Sequence, residues 1–182
     1  MYKLLDARLT ASDFMKNIDP FCERQFLAGS ILRDCSMVND IDIVVISKME
    51  MQEDETLFGE PVQVDILQKH LTDMIFAKEL YYDMEKKSDG EKKKRFTQFN
   101  GSAIPIDIYF CDEKTWATTC LIRTGSKNHN IKLCVRAQSM HMQLKADGSG
   151  LLSPSGALIE VYSELEIFNY LKLPYTKPED RL

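Results

Sequence analysis

The hydrophobic pattern of the chain changes period several times along its 182 residues. Residues 1–20 predict a short amphipathic helix with Leu4, Leu5, Leu9, Phe14 and Ile18 as its apolar positions and Pro20 beyond its end. Phe21 to Ala28 leads into a small Gly29-Ser30 turn, and IDIVVIS, Ile41 to Ser47, is a β-branched run that predicts a buried strand. A helix is predicted over much of Asp65 to Lys78, with Asp65 as its N-cap. Two turn dipeptides, Asp89-Gly90 and Asn100-Gly101, then separate strand-like runs at 80–84, 94–99 and 103–110. They predict an antiparallel meander whose last strand carries Asp107. Beyond Asp112 the texture shifts to a helix over 113–122, a TGS turn and a long helix over 128–141. A hairpin broken by DGSG and SPSG and a terminal helix over 164–171 follow. The fold class is α+β, and the pattern divides near residue 112 into a mixed part over 1–112 and a smaller part over 113–182.

Charge sharpens that division. The net charge is -5, yet Lys114 to Ala146 holds six basic residues (Lys114, Arg123, Lys127, Lys132, Arg136, Lys145) and no acidic one. A second cluster, Glu85 to Arg95, has six basic residues against three acidic. These two segments are where a polyanion would bind, although the second reads equally as a solvated hairpin tip. A composition of 44% hydrophobic and 28% charged residues is that of a globular protein. No apolar run approaches the roughly 20 residues that cross a bilayer, and the N-terminus has no signal-peptide h-region. An intracellular soluble protein is expected, in the cytoplasm, the nucleus or a virion, with no membrane partner. The cysteines Cys22, Cys35, Cys111, Cys120 and Cys134 form no CxxC pair and the histidines no HxxxH, which favours free thiols and argues against zinc.

Candidate chemistry lies where carboxylates interrupt apolar strands. In GSILRDCSMVNDIDIVVI, Gly29 to Ile46, the side chains of Asp40 and Asp42 share one strand face, with Cα atoms about 6.5 to 7 Å apart, while Ile41 and Ile43 point the other way. Like charges so placed are costly unless a cation stands between them, and magnesium, with its preference for hard oxygen ligands and phosphates, suits the position. IPIDIYF adds Asp107, flanked by Ile106 and Ile108 as Asp42 is by Ile41 and Ile43. Three carboxylates can hold two metals about 3.5 to 4 Å apart for an in-line phosphoryl displacement. The bland reading is a strand cap and an edge aspartate. Upstream, Gly29-Ser30 frees N–H groups for an anion and Arg33 offers a bidentate fork, a pairing that makes chemical sense for nucleotidyl transfer.

With these motifs in place the sequence resembles the family X DNA polymerases. GSILRDCSMVNDIDIVVI resembles their GS…R…DxD palm motif, and IPIDIYF the strand bearing their third metal carboxylate. RTGSKNHNIKLCVRAQ resembles the segment that opens their thumb, and SELEIFNYLKLPYTKPEDRL their C-terminal signature. The resemblance implies a nucleotidyltransferase-type palm over 1–112 and a small α/β thumb over 113–182. It implies that Asp40 and Asp42 bind both of two Mg²⁺ ions, for which Mn²⁺ can substitute, and that Asp107 binds the catalytic one and helps deprotonate a primer 3′ hydroxyl. Gly29, Ser30, Arg33 and the backbone around Asn39 would hold the triphosphate, Gly125 and Ser126 would lie under the sugar and base, and Asn130 would reach the minor-groove edge. The blander alternative for Ser30 and Asn130 is a helix cap. Lys127, Lys132 and Arg136 would contact nucleic acid.

The chain also departs from the family pattern. Ile122-Arg123 stands where an aromatic pair or His-Phe usually senses the sugar, Cys134 where an arginine usually meets the template, and Pro105 where an arginine often supports the primer end. Only 28 residues precede the GS motif, too few for a lyase or helix-hairpin-helix domain, as in the minimal viral members of the family. The expectation is a monomeric, gap-filling or repair DNA polymerase of low fidelity acting on dNTP and primer-template or gapped DNA. The alternatives are template-independent addition of nucleotides or ribonucleotides and a non-catalytic accessory that binds nucleic acid.

Overall fold

A computed structural model of the chain describes residues 1–52, 60–83, 89–90 and 92–181. A two-residue strand β1 (Tyr2–Lys3) leads into helix α1 (Leu4–Ile18), strand β2 (Cys22–Leu27), the single-turn helix α2 (Gly29–Leu32), β3 (Met37–Val38) and β4 (Ile41–Ser47). A ribbon of β5 (Met49–Gln52) and β6 (Val62–Asp65) precedes helix α3 (Ile66–Phe76), and β7 (Leu80–Tyr82), β8 (Asp89–Gly90), β9 (Lys93–Phe99) and β10 (Ile106–Phe110) follow. The C-terminal part contains α4 (Trp116–Thr124), α5 (Lys127–Ser139), β11 (Gln143–Leu144), β12 (Leu151–Leu152), β13 (Leu158–Ile159) and α6 (Glu164–Tyr170).

The central sheet runs β2-β4-β10-β9-β7, with β8 on β9, and it is mixed: β4 and β10 are parallel and the other pairs antiparallel. β4 is buried on both faces, which is why its sequence is apolar on both, with Asp42 as the interruption. Ile41, Ile43 and Val45 join Ile106, Ile108 and Phe96 under α1 and α3, which contribute Ala7, Ala11, Phe14, Leu67 and Leu71. Val44 and Ile46 face the other way and meet Ala28, Tyr109, Trp116 and Cys120, so the opposite face of the sheet packs on α4. A separate core, with Leu121, Leu133, Leu144, Leu151 and Phe168, lies within the C-terminal part.

Several expectations hold. Asp65 caps α3 by accepting from the Gln68 N–H at 3.0 Å, and the Asn100-Gly101 turn separates β9 from β10 within the meander. Others are corrected. Leu5 and Leu9 are 67% and 59% exposed; α1 packs through Phe14 and Ile18, as expected, and through Ala7 and Ala11 in place of those leucines, because small residues let its backbone approach the sheet. Asp89-Gly90 pairs with Lys94 and Lys93 as a strand, so it is not itself the turn; residues 84–88 and 91 of the basic cluster lie outside the described residues. Cys22 to Leu27, rich in polar residues, is an edge strand antiparallel to β4. The last strand starts at Ile106, since Pro105 has no N–H to donate. The interrupted hairpin is a three-stranded sheet, β11-β12-β13. The cysteines are free thiols, as expected, and burial pushes Cys22 up to about 12. Among the described residues no helix is long and apolar enough to cross a membrane.

Arg181 anchors the C-terminal part. It is 1% exposed, pairs with Glu164 at 2.5 Å, donates from Nε to the Thr176 carbonyl at 2.9 Å, and lies over the rings of Phe168 and Tyr175. Arg181→Met strands Glu164 without its cation. It is expected to cost about 3 to 5 kcal/mol, read as a lower urea midpoint; an unchanged midpoint would show that the anchor carries no stability.

Candidate active site

The parallel register of β4 and β10 sets Asp42 beside Asp107, and Asp40 immediately precedes β4. These carboxylates lie on the sheet face shared with Val44 and Tyr109, towards α4. Asp107 is only 3% exposed. Its Oδ2 accepts from three groups: Lys93 Nζ at 2.8 Å, Arg95 Nη1 at 2.8 Å and the Tyr109 hydroxyl at 3.3 Å. Its Oδ1 is buried and has no hydrogen-bond partner among the described residues. Arg95 stands directly opposite Asp107 in the antiparallel register of β9 and β10, and from there also reaches Asp40 at 3.3 Å and Asp83 at 3.4 Å. Tyr109 donates as well to Asp42 Oδ1 at 3.1 Å.

The charges act on one another as their burial requires. Burial, then the neighbouring charges of Asp40 and Asp107, pushes Asp42 from 3.8 up to about 7, with Tyr109 pulling slightly the other way. Burial works against the Arg95 cation, but Asp107 and Asp40 outweigh it and raise its pKa. Burial and the two carboxylates drive the Tyr109 hydroxyl upward, so it stays a protonated donor.

Among the described residues no three His, Cys, Asp or Glu side chains stand together as a ready metal cage. Arg95 bridges Asp40 and Asp107, and Lys93 adds a second cation to Asp107. The donor set nonetheless fits a hard divalent ion: oxygens only, one of them buried and bare, and a second carboxyl that resists ionising without a cation.

The remaining predicted residues divide between a groove and the surface. Gly29 has φ +67°, and a Cβ there would stand 2.0 Å from Asp42 Oδ2, so only glycine permits this approach. Ser30 lies in the same turn, half-buried, while Asn39 is exposed. Arg33 donates to the Thr124 carbonyl and lies against Gly125, which ties α2 to the GS turn. Ser126 caps α5, accepting from the His129 N–H at 3.3 Å. Asn130 donates to the Ile122 carbonyl at 2.8 Å, and its Oδ1 is buried and unpaired among the described residues. A groove of about 550 Å³ brings Arg33 together with Gly125, Ser126, Asn130, Ile122 and Cys134. Lys127 and Lys132 are exposed, whereas Arg136 donates to the Leu171 carbonyl at 2.8 Å and is held against α6.

Sequence reasoning missed Lys93, Arg95, Asp83 and Tyr109. Arg95 was legible only as one of a basic run: a symmetric count back across the Asn100-Gly101 turn sets Lys94 opposite Asp107, and the observed register is one residue off that count.

The family model of the DNA polymerase beta thumb matches residues 119–182. A ternary gap complex of Leishmania infantum polymerase beta superposes with a TM-score of 0.75 at 20% identity, covering 99% of this chain and 70% of that one. The chain is polymerase beta-like in fold and in thumb. A ternary P/T complex of the same Leishmania enzyme gives a TM-score of 0.70 at 22% identity, over 98% of this chain and 74% of that chain. No curated protein matches the sequence. The palm-and-thumb α+β fold anticipated from the motifs is the polymerase beta fold, with the carboxylates on its central sheet.

Asp42 has a consequence for stability. With its folded value near 7 and the ordinary value at 3.8, the native protein holds a proton that the unfolded chain has released across that window. Its contribution therefore falls as pH rises from about 4 to 7. In EDTA at pH 8, Asp42→Asn is expected to exceed the parent in unfolding free energy by about 2 to 4 kcal/mol, with the difference closing near pH 4. A difference independent of pH, measured by urea titration, would contradict the placement of charge at Asp42.

Proposed function

We propose that the chain is a metal-dependent nucleotidyltransferase that adds nucleotides to a DNA 3′ end, acting as a gap-filling DNA polymerase of low fidelity. The observation that carries the reading is the pairing of Asp42 with Asp107 on adjacent parallel strands, with a buried, bare oxygen on Asp107. The thumb match at 119–182 and the likeness to Leishmania structures captured as ternary gap and P/T complexes support DNA as the partner. In this reading the palm comprises 1–112 and the thumb 113–182, and the protein works as a monomer.

Asp40, Asp42 and Asp107 hold two Mg²⁺ ions, or Mn²⁺ in their place. Bound there, these ions supply positive charge to the triphosphate and lower the pKa of the primer 3′ hydroxyl. The protein's own residues position the reactants. Ser30, Arg33 and the α2 backbone grip the triphosphate, with Arg33 reaching both it and the GS turn. Asp107 orients the 3′ hydroxyl and draws its proton; Gly125, Ser126 and Asn130 support sugar and base. Asn130 must turn from the Ile122 carbonyl to do so. Lys127 and Lys132 meet the DNA backbone, and Arg136 joins them only if it leaves Leu171. Catalysis of this kind rests on positioning and charge neutralisation.

A second reading, template-independent addition of dNTP or NTP, has one observation in its favour. Cys134 is half-buried and donates to the Leu144 carbonyl at 3.4 Å, so the groove has an uncharged thiol where family members usually present an arginine to the template. Incorporation of each dNTP and NTP on single-stranded, primed and one-nucleotide-gapped DNA separates the two, since equal rates on all three substrates favour the second.

Asp107→Asn is expected to lower Mg²⁺-dependent primer extension about a hundredfold or more; a variant as active as the parent overturns the carboxylate assignment. DNA affinity in fluorescence anisotropy is expected to fall about 10-fold between about 50 and 200 mM salt from the two lysines, and about 40-fold if Arg136 joins them on phosphate. A salt-independent affinity would overturn the basic-face assignment.

A further inference from the structure

Tyr109 lies two residues past Asp107 on β10, so its side chain shares the sheet face of Asp42 and Asp107. It is 7% exposed. Two cations pack on its ring: the Arg123 guanidinium carbon is 4.2 Å from the centroid and Lys93 Nζ 5.1 Å. Arg123 is itself tethered, donating from Nη2 to the Asp147 carbonyl at 2.7 Å. Held in this way, the hydroxyl stands 3.1 Å from Asp42 Oδ1 and 3.3 Å from Asp107 Oδ2, sharing one proton between two carboxylates.

One oxygen of each carboxylate is thereby occupied, Asp107 Oδ2 by Lys93 and Arg95 as well. The oxygens left over are Asp107 Oδ1, which is bare, and Asp42 Oδ2, which faces the Gly29 backbone. We infer that Tyr109 is a positioning residue for metal binding: by fixing Asp42 Oδ1 and Asp107 Oδ2 in one hydrogen-bonded unit, it holds the two carboxylates in the orientation that leaves Asp107 Oδ1 for a divalent cation. Outer partners of metal ligands commonly have this effect, orienting the ligand while making no contact with the metal. Arg123, on α4, supports the arrangement by packing on the ring, and this links the thumb to the carboxylates. The inference rests on the proposed function and adds to it a residue outside the carboxylate set.

Positioning and simple electrostatics predict different outcomes. Tyr109→Phe removes a neutral hydroxyl and changes no charge. Arg123→Met removes a cation close to the site, which by charge alone tightens binding of a divalent ion. If Tyr109 positions the ligands, both variants bind more weakly. The test is Mn²⁺ affinity, measured by electron paramagnetic resonance of the free ion, for the full-length parent, Tyr109→Phe and Arg123→Met, with circular dichroism verifying that each is folded. Tyr109→Phe is expected to weaken Mn²⁺ binding about tenfold or more, and Arg123→Met to weaken it to a lesser degree. In primer extension, kcat falls for Tyr109→Phe while KM for dNTP stays near that of the parent. Equal Mn²⁺ affinity in Tyr109→Phe and parent overturns the positioning role and leaves the proposed function standing, and tighter binding by Arg123→Met overturns the support from α4. A parent that binds no Mn²⁺ overturns the proposed function, and the inference with it.

Discussion

Three carboxylates gathered on one face of a sheet, one of them almost fully buried, repel each other, and much of the surrounding architecture answers that repulsion. Lys93 and Arg95 bring two cations to Asp107 from the neighbouring strand, and Arg95 extends the same guanidinium to Asp40 and Asp83. Register makes this possible: Arg95 lies directly across from Asp107, and Lys93 directly across from Tyr109. A one-residue slip of β9 would turn both cations to the wrong face and leave Asp107 buried without a counter-charge. Gly29 answers a steric side of the same constraint, since any larger residue would collide with Asp42.

Much of this was legible in the sequence, for an identifiable reason. Asp42 and Asp107 interrupt strands that are otherwise apolar, and a charge in such a run is conspicuous because the strand design gives it no place. The Asp65 cap and the Asn100-Gly101 turn were readable because their signals are local, contained within three or four residues. What stayed hidden depends on contacts distant in sequence. Leu5 and Leu9 lie on the outer side of α1, because which face of a helix meets a sheet depends on the sheet. Arg95 passed as one cation in a charged run, since its meaning comes from a partner twelve residues away across a turn. The edge strand β2 carries too little alternation to declare itself, and only its pairing with β4 defines it.

The departures from the family pattern look different in three dimensions. Pro105, just before the strand of Asp107, brings no cation, and the guanidinium that reaches that carboxylate, Arg95, comes from the adjacent strand. Arg123, which stands where an aromatic residue is usual before the TGS turn, packs on the aromatic Tyr109 in the neighbouring element. In both cases the group near the carboxylates is supplied by a neighbouring element. Cys134 differs, since the neighbouring cation Arg136 is bonded to Leu171 and does not take its place in the groove.

Contacts between the palm-like sheet and the thumb-like part converge on the same few residues. Arg33 reaches from α2 to the Thr124 carbonyl and the GS turn, and Arg123 reaches back from α4 to Tyr109, whose hydroxyl is bonded to Asp42 and Asp107. Val44 and Ile46, on the carboxylate face of β4, pack against Trp116 and Cys120 of α4. A rotation of α4 relative to the sheet would therefore move Arg123 and the GS turn together and disturb Tyr109 before any carboxylate moved. The apolar contact is broad and tolerant of small shifts, whereas the two arginine contacts are directional and fail over short displacements. The docking of the two parts is thus held by packing, while its fine position is registered at the carboxylates through one tyrosine.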